Sequence, residues 1–168
     1  MINRKLTSCM ALLFYALLVG CYSFTGSSIP ADIKTIWIGS FPNRATLVNP
    51  TLSSDFTDGL RSYILSRARF NEVDMESADI AIDGEITAYD ITAIAIQSDA
   101  TAALNKLSVS IKINFVNNKY PKDGFSQTFT RYQEFPSSQD ISVVESDLVS
   151  QIIKEITEDV YNRAFSNW

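Results

Sequence analysis

Two periodicities organise most of the chain. Leu107, Val109, Ile111, Ile113 and Phe115 alternate with Ser108, Ser110, Lys112 and Asn114, the period of two that sends one strand face to a core and the other to water. Ile80, Ile82, Gly84 and Ile86 alternate in the same way with Ala81, Asp83, Glu85 and Thr87. The apolar set then changes phase to Tyr89 and Ile91 and returns with Ile94 and Ile96, which predicts a bulge or bend between Ala88 and Ala93. Residues 125–135 are the expected partner of the strand at 107–115, reached through the turn-forming run 117–124, so that these strands make an antiparallel meander. Upstream, residues 34–41 (KTIWIGSF), bounded by Pro30 and Pro42, read as a strand buried on both faces. Residues 70–74 read as a short second strand.

Helical spacing appears twice. Asn49 is placed to cap free amides and Pro50 fits a first helical position, where its missing N–H costs nothing. Leu52, Phe56, Leu60, Tyr63 and Ile64 then recur on one face. Near the end, Ser142 and Glu145 have the spacing of a capping box. The stripe Val144, Leu148, Ile152, Ile156, Val160 and Ala164, flanked by Val149, Ile153 and Tyr161, follows it. The expected fold is therefore α+β and two-layered, with two amphipathic helices packed on one face of a mostly antiparallel sheet of four to five strands. The first strand, first helix and second strand suit a βαβ unit.

The first twenty residues do not belong to that domain. Arg4 and Lys5 precede the apolar run 10–19, which is too short to span a bilayer, a task needing about 20 residues, and reads as a signal peptide. It ends Leu18-Val19-Gly20-Cys21, the bacterial lipobox, in which the thiol is lipidated and the chain cut just before it. The remaining cysteine, Cys9, lies inside the leader, so Cys21 has no disulfide partner in the mature chain. Stable anchoring takes more than one acyl chain, so Cys21 is expected to carry a diacylglycerol and an N-acyl chain. No other cofactor is expected. Tyr22, where retention at the inner membrane requires Asp, predicts export to the outer membrane. The predicted organisation is a lipoprotein signal at 1–20, a lipidated Ser-, Gly- and Pro-rich tether at 21–32 and one domain at 33–168.

Removing Arg4 and Lys5 leaves 12 basic against 19 acidic residues, a net charge of −7, which argues against a nucleic-acid partner. The chain has no histidine. Ser-His-Asp and Cys-His catalysis and imidazole or thiolate metal sites are excluded with it, and a non-catalytic protein is expected. Asp83 and Glu85 share a strand face and are the one conceivable acid–base pair, as in a carboxylate glycosidase, although a solvated strand face explains them more simply. Between Asn105 and Glu134, Lys106, Lys112, Lys119, Lys122 and Arg131 outnumber Asp123 and Glu134. That local excess of +3 suits either phosphorylated lipid headgroups or protection of a sheet edge. Residues 97–105 (QSDATAALN) present small side chains that would let a partner approach closely.

Together these features resemble the LPS-assembly lipoproteins of the LptE family. The likeness is carried by Gly20-Cys21-Tyr22-Ser23-Phe24-Thr25-Gly26, Phe41-Pro42-Asn43 with Leu47-Val48-Asn49-Pro50-Thr51-Leu52-Ser53, Ile82-Asp83-Gly84-Glu85-Ile86-Thr87-Ala88-Tyr89, Thr101-Ala102-Ala103-Leu104-Asn105-Lys106-Leu107, Phe129-Thr130-Arg131-Tyr132, and Asn162-Arg163-Ala164-Phe165-Ser166-Asn167-Trp168. The resemblance implies two helices on a four-stranded sheet, and a lipoprotein that plugs and helps assemble the outer-membrane β-barrel LptD while contacting lipopolysaccharide. It carries no catalytic residue. Lys106, Lys112 and Arg131 are the headgroup contacts expected from local charge alone. A second likeness covers about the first third of the mature chain. Residues 35–43, the helix after them and Arg69-Phe70-Asn71-Glu72-Val73 look like the opening of TolB-like or curli-secretion-like lipoproteins, which self-assemble.

Overall fold

The computed structural model describes residues 29–47, 49–94 and 103–166. The leader and Cys21, the tether up to residue 28, and residues 97–102 of the small-residue stretch lie outside the described residues.

Five strands and two helices follow in the order β1 (Thr35–Ile38), α1 (Leu52–Arg67), β2 (Asn71–Glu72), β3 (Ile80–Ile94), β4 (Leu104–Asn117), β5 (Phe125–Pro136) and α2 (Ile141–Phe165). The sheet order is β2-β1-β3-β4-β5. β1 is parallel to both β2 and β3, whereas β3, β4 and β5 form the antiparallel meander. Both helices lie on one face, as the alternation requires. Every odd-numbered residue from Leu107 to Asn117 is buried, and Leu52, Phe56, Leu60 and Ile64 of α1 and Ile152, Ile156 and Val160 of α2 complete the core. Burial of this many aliphatic and aromatic side chains supplies the main stabilisation, at about 1.5–3 kcal/mol for each large one.

Three local expectations are corrected. The bulge falls at Thr87, between the pairs Ile86–Ile111 and Ala88–Ser110, one residue before the predicted window. Ile86 donates to the Pro42 carbonyl and accepts from Arg44, so the chain after β1 pairs with β3 at this residue, and the extra residue follows directly after it. β1 buries Ile36 and Ile38, but Thr35 and Trp37 are only half-buried, because both helices cover the same side. The capping box does not form. Asp140 caps α2, accepting from the Ser142 amide at 2.9 Å and its hydroxyl at 2.8 Å, and Glu145 is engaged elsewhere. Asn49 caps as expected, its Oδ1 accepting from the amides of Thr51 and Leu52, each at 3.1 Å.

Asp79 fastens the two halves of the sheet. Its Oδ2 accepts from the Lys34 and Thr35 amides at 2.8 and 3.0 Å, and Lys119 Nζ lies 3.2 Å from Oδ1. The Lys34 amide, with smaller help from Thr35 and Lys119, holds this carboxyl at about 2.

Candidate functional site

Among the described residues no helix covers the second face of the sheet. The even positions of β4 point there, Lys106, Ser108, Ser110, Lys112 and Asn114, and their cross-strand partners are Thr92, Asp90, Ala88, Glu85 and Asp83 on β3. On β5 the partners are Glu134, Tyr132, Thr130, Thr128 and Ser126. Short polar side chains at matched registers bond to one another across the strands. Ser126 Oγ donates to Asn114 Oδ1 at 2.7 Å and Asn114 Nδ2 donates to Asp83 at 2.9 Å, a row crossing three strands. Ser110 and Thr130 share a 2.8 Å hydroxyl bond. The result is a polar surface in which several side chains bond across the strands and which also carries Lys106, Lys112, Glu85, Asp90 and Glu134.

Two of the three cations expected to meet headgroups stand on that surface. Lys112 is exposed and lies in register with Glu85 and Thr128. Lys106 holds its Nζ 5.4 Å from the Tyr132 ring centroid, close enough for a cation–π attraction, and Tyr132 is 53% exposed. They are six residues apart on one strand, about 20 Å. Arg131 is not with them. It pairs with Val109, which is buried, so its side chain turns to the helix side and donates to Asp159 of α2 through Nε at 2.7 Å and Nη2 at 2.8 Å. Lys119 is likewise used internally, donating to the Asp32 carbonyl and pairing with Asp79. Of the five cations counted in the sequence, Lys106, Lys112 and Lys122 remain available to an outside anion.

Asp83 and Glu85 do share one face, as predicted, but Asp83 accepts from Asn114 and the pair sits on the open surface. The groove of about 600 Å³ between the helices is lined by Asn49, Gly59, Tyr63, Glu145, Val149 and Thr157 among others, and neither carboxylate reaches it. The sequence showed Ser108, Ser110 and Asn114 as the polar positions of their strand, but no site role was expected of them or of Tyr132, Thr130 and Thr128. Their signal was parity, because Tyr132, Thr130 and Thr128 alternate with Phe129 and Phe135, which are buried.

A mixed sheet covered on one side by two helices, with a polar and charged face on the other, defines a two-layer α+β domain. A family model for lipopolysaccharide assembly, LptE, matches residues 33–164. The chain belongs to the LptE family, a non-enzymatic family of outer-membrane-associated lipoproteins of lipopolysaccharide assembly. Among curated proteins none matches the sequence. Among solved structures, a hypothetical protein from Chlamydia trachomatis is similar at 9% identity and TM-score 0.54, over 79% of this chain and 98% of that one. A protein from Xanthomonas campestris is similar at 12% identity and TM-score 0.53, over 82% and 85%. A minor lipoprotein from Acinetobacter baumannii is similar at 11% identity and TM-score 0.49, over 77% and 91%. At these identities the first two likenesses speak to the fold alone. Among the described residues no helix is long and apolar enough to cross a membrane.

Proposed function

We propose that this protein is a non-catalytic companion of an LptD-type outer-membrane barrel, held at the membrane by lipid on Cys21, which plugs the barrel, helps it assemble and touches lipopolysaccharide in transit. The observation that carries the reading is the uncovered sheet face. An ordinary two-layer domain leaves such a face to water, but here several of its hydroxyl and amide groups bond to one another, so that a second polar wall has fewer unpartnered groups to desolvate as it approaches. The lumen of an outer-membrane barrel is a wall of that kind, since barrel strands alternate apolar residues outward and polar residues inward. The family match supports the coarser part of this reading, a lipoprotein of lipopolysaccharide assembly.

Within this reading Lys106 and Lys112 are the glycolipid contacts, point charges suited to phosphate, and Arg131 serves the helix layer. The test is a photo-crosslinking residue placed at Thr128 on the open face in living cells. Capture of a large outer-membrane barrel is expected; a free, uncrosslinked protein contradicts the reading.

A further inference from the structure

The root of the tether is fixed to the domain. Ile29 packs against the core, the Ile33 amide donates to the Pro30 carbonyl at 3.1 Å, and the Asp32 carboxylate accepts from the Tyr120 hydroxyl at 3.0 Å. Cys21 lies eight positions before Ile29, a reach of at most roughly 28 Å. Beside Ile29 opens a hollow of about 520 Å³. Its walls are apolar at Ile29, Ile33 and Phe70 and cationic at Lys34, Arg67 and Arg69, with no carboxylate in the lining. The three cations are exposed, and among the described residues none is in an ion pair, whereas Arg61, Lys119 and Arg131 each are. Arg67 lies 3.7 Å from the Tyr63 ring centroid, a contact that positions the guanidinium and leaves its charge in place. Arg67 also suits the C-terminal end of the α1 dipole, but Lys34 and Arg69 lie outside that helix and have no such use.

We infer that this hollow docks the phosphate of an anionic phospholipid in the membrane that holds the anchor. The inference deepens the lipid-anchored reading above and rests on its lipidated Cys21. Arginine forks onto phosphate oxygens and lysine adds a point charge, while Ile29 and Phe70 offer apolar contact to the glycerol and the first methylenes. Each cation close to an anionic surface adds to the attraction. An acyl anchor sets distance and leaves orientation open. Cations gathered at the tether's root set which end of the domain faces the bilayer, in a chain whose mature net charge of −7 would otherwise be repelled by it. These groups are separate from Lys106 and Lys112, which stand on the open sheet face.

The test uses the chain from Cys21 onward, coupled through that thiol, its only one, to a maleimide lipid in vesicles of equal phosphatidylcholine and phosphatidylglycerol. A photo-crosslinking residue at Ala31, which is exposed and lines the hollow, should capture phosphatidylglycerol about tenfold over phosphatidylcholine at low salt, and the preference should fall as salt rises. Lys34→Ala, Arg67→Ala and Arg69→Ala together should bring the ratio close to one while leaving the melting curve in place. Lys34→Arg with Arg67→Lys and Arg69→Lys should keep the preference, as should Lys106→Ala with Lys112→Ala. Equal capture of both lipids by the parent overturns the inference, as does a preference that survives the triple alanine change or is lost equally with Lys106 and Lys112. Displacement by millimolar inorganic phosphate at constant ionic strength assigns the hollow to free phosphate and overturns the membrane assignment. Because the lipid is attached chemically, none of these outcomes depends on lipidation in the cell; a bare Cys21 sulfur in the native protein, read by mass spectrometry, is the separate failure of the anchor reading.

Discussion

Tyr89 donates a 2.5 Å hydrogen bond to Glu145, tying the strand just past the bulge to the opening turns of α2. The same carboxylate oxygen accepts from Asn49 Nδ2 at 2.9 Å, and Asn49 caps α1. One oxygen thus joins the sheet to both helices. Burial, and after it the bond to Glu145, raises the Tyr89 phenol above its ordinary value.

Tyr89→Phe removes the donor from a buried site and should cost about 1–2 kcal/mol, a fall of roughly 5 °C in the melting temperature of a domain this size. The folded-state value is raised, so the contribution is fully present below the unfolded phenol's pKa of about 10 and is lost as pH climbs toward the folded value. Melting curves of the two proteins should therefore converge as pH rises above that point, and a gap independent of pH contradicts the assignment.

Asp79 has the opposite sign. Its folded value of about 2 lies below the ordinary 3.8, so its stabilisation is present above the unfolded value and is lost as pH falls through the folded one. Asp79→Ala should destabilise by about 2 kcal/mol near neutral pH, since it strips two backbone amides of a charged acceptor. The difference from the parent should shrink between pH 4 and pH 2, as read by chemical denaturation at each pH.

Gly84 tests packing at the centre of the meander. A Cβ there would lie 1.9 Å from the Lys112 carbonyl oxygen and 3.1 Å from the Phe41 ring. The oxygen belongs to the β3–β4 ladder and cannot move aside without breaking it. Gly84→Ala should cost about 3 kcal/mol, visible as a large loss of denaturation midpoint.

The cations should separate by role. Replacing Lys106 and Lys112 with Ala should weaken binding to vesicles containing anionic glycolipid and flatten its salt dependence, with little change in stability. Arg131→Ala should leave that isotherm unchanged and lower stability by no more than about 1 kcal/mol, the range for an exposed pair. Equal effects of all three on binding would contradict the division between the two faces.

That division was partly legible in the sequence. Lys106 and Lys112 are out of phase with the run from Leu107 to Phe115, which places them on the outer face, and Arg131 is in phase with Phe129 and Phe135, which places it inward. A count of net charge discards phase, and so the sequence grouped all three. The strands at 80–94 and 104–117 and the last helix were readable because each repeats its period many times. β1 and β2 are four and two residues long, too short for periodicity to separate one buried face from two. Glu145 has capping-box spacing but bonds to Tyr89, 56 residues away, a tertiary competition that no local pattern reports. Asp140, two residues before Ser142, captures that serine instead.

The most direct test of the barrel-companion account is affinity recovery of the native protein from detergent-extracted outer membranes, followed by identification of its largest partner. The account predicts a large β-barrel protein in constant proportion to this chain. Recovery of the chain with no barrel protein beside it contradicts the account.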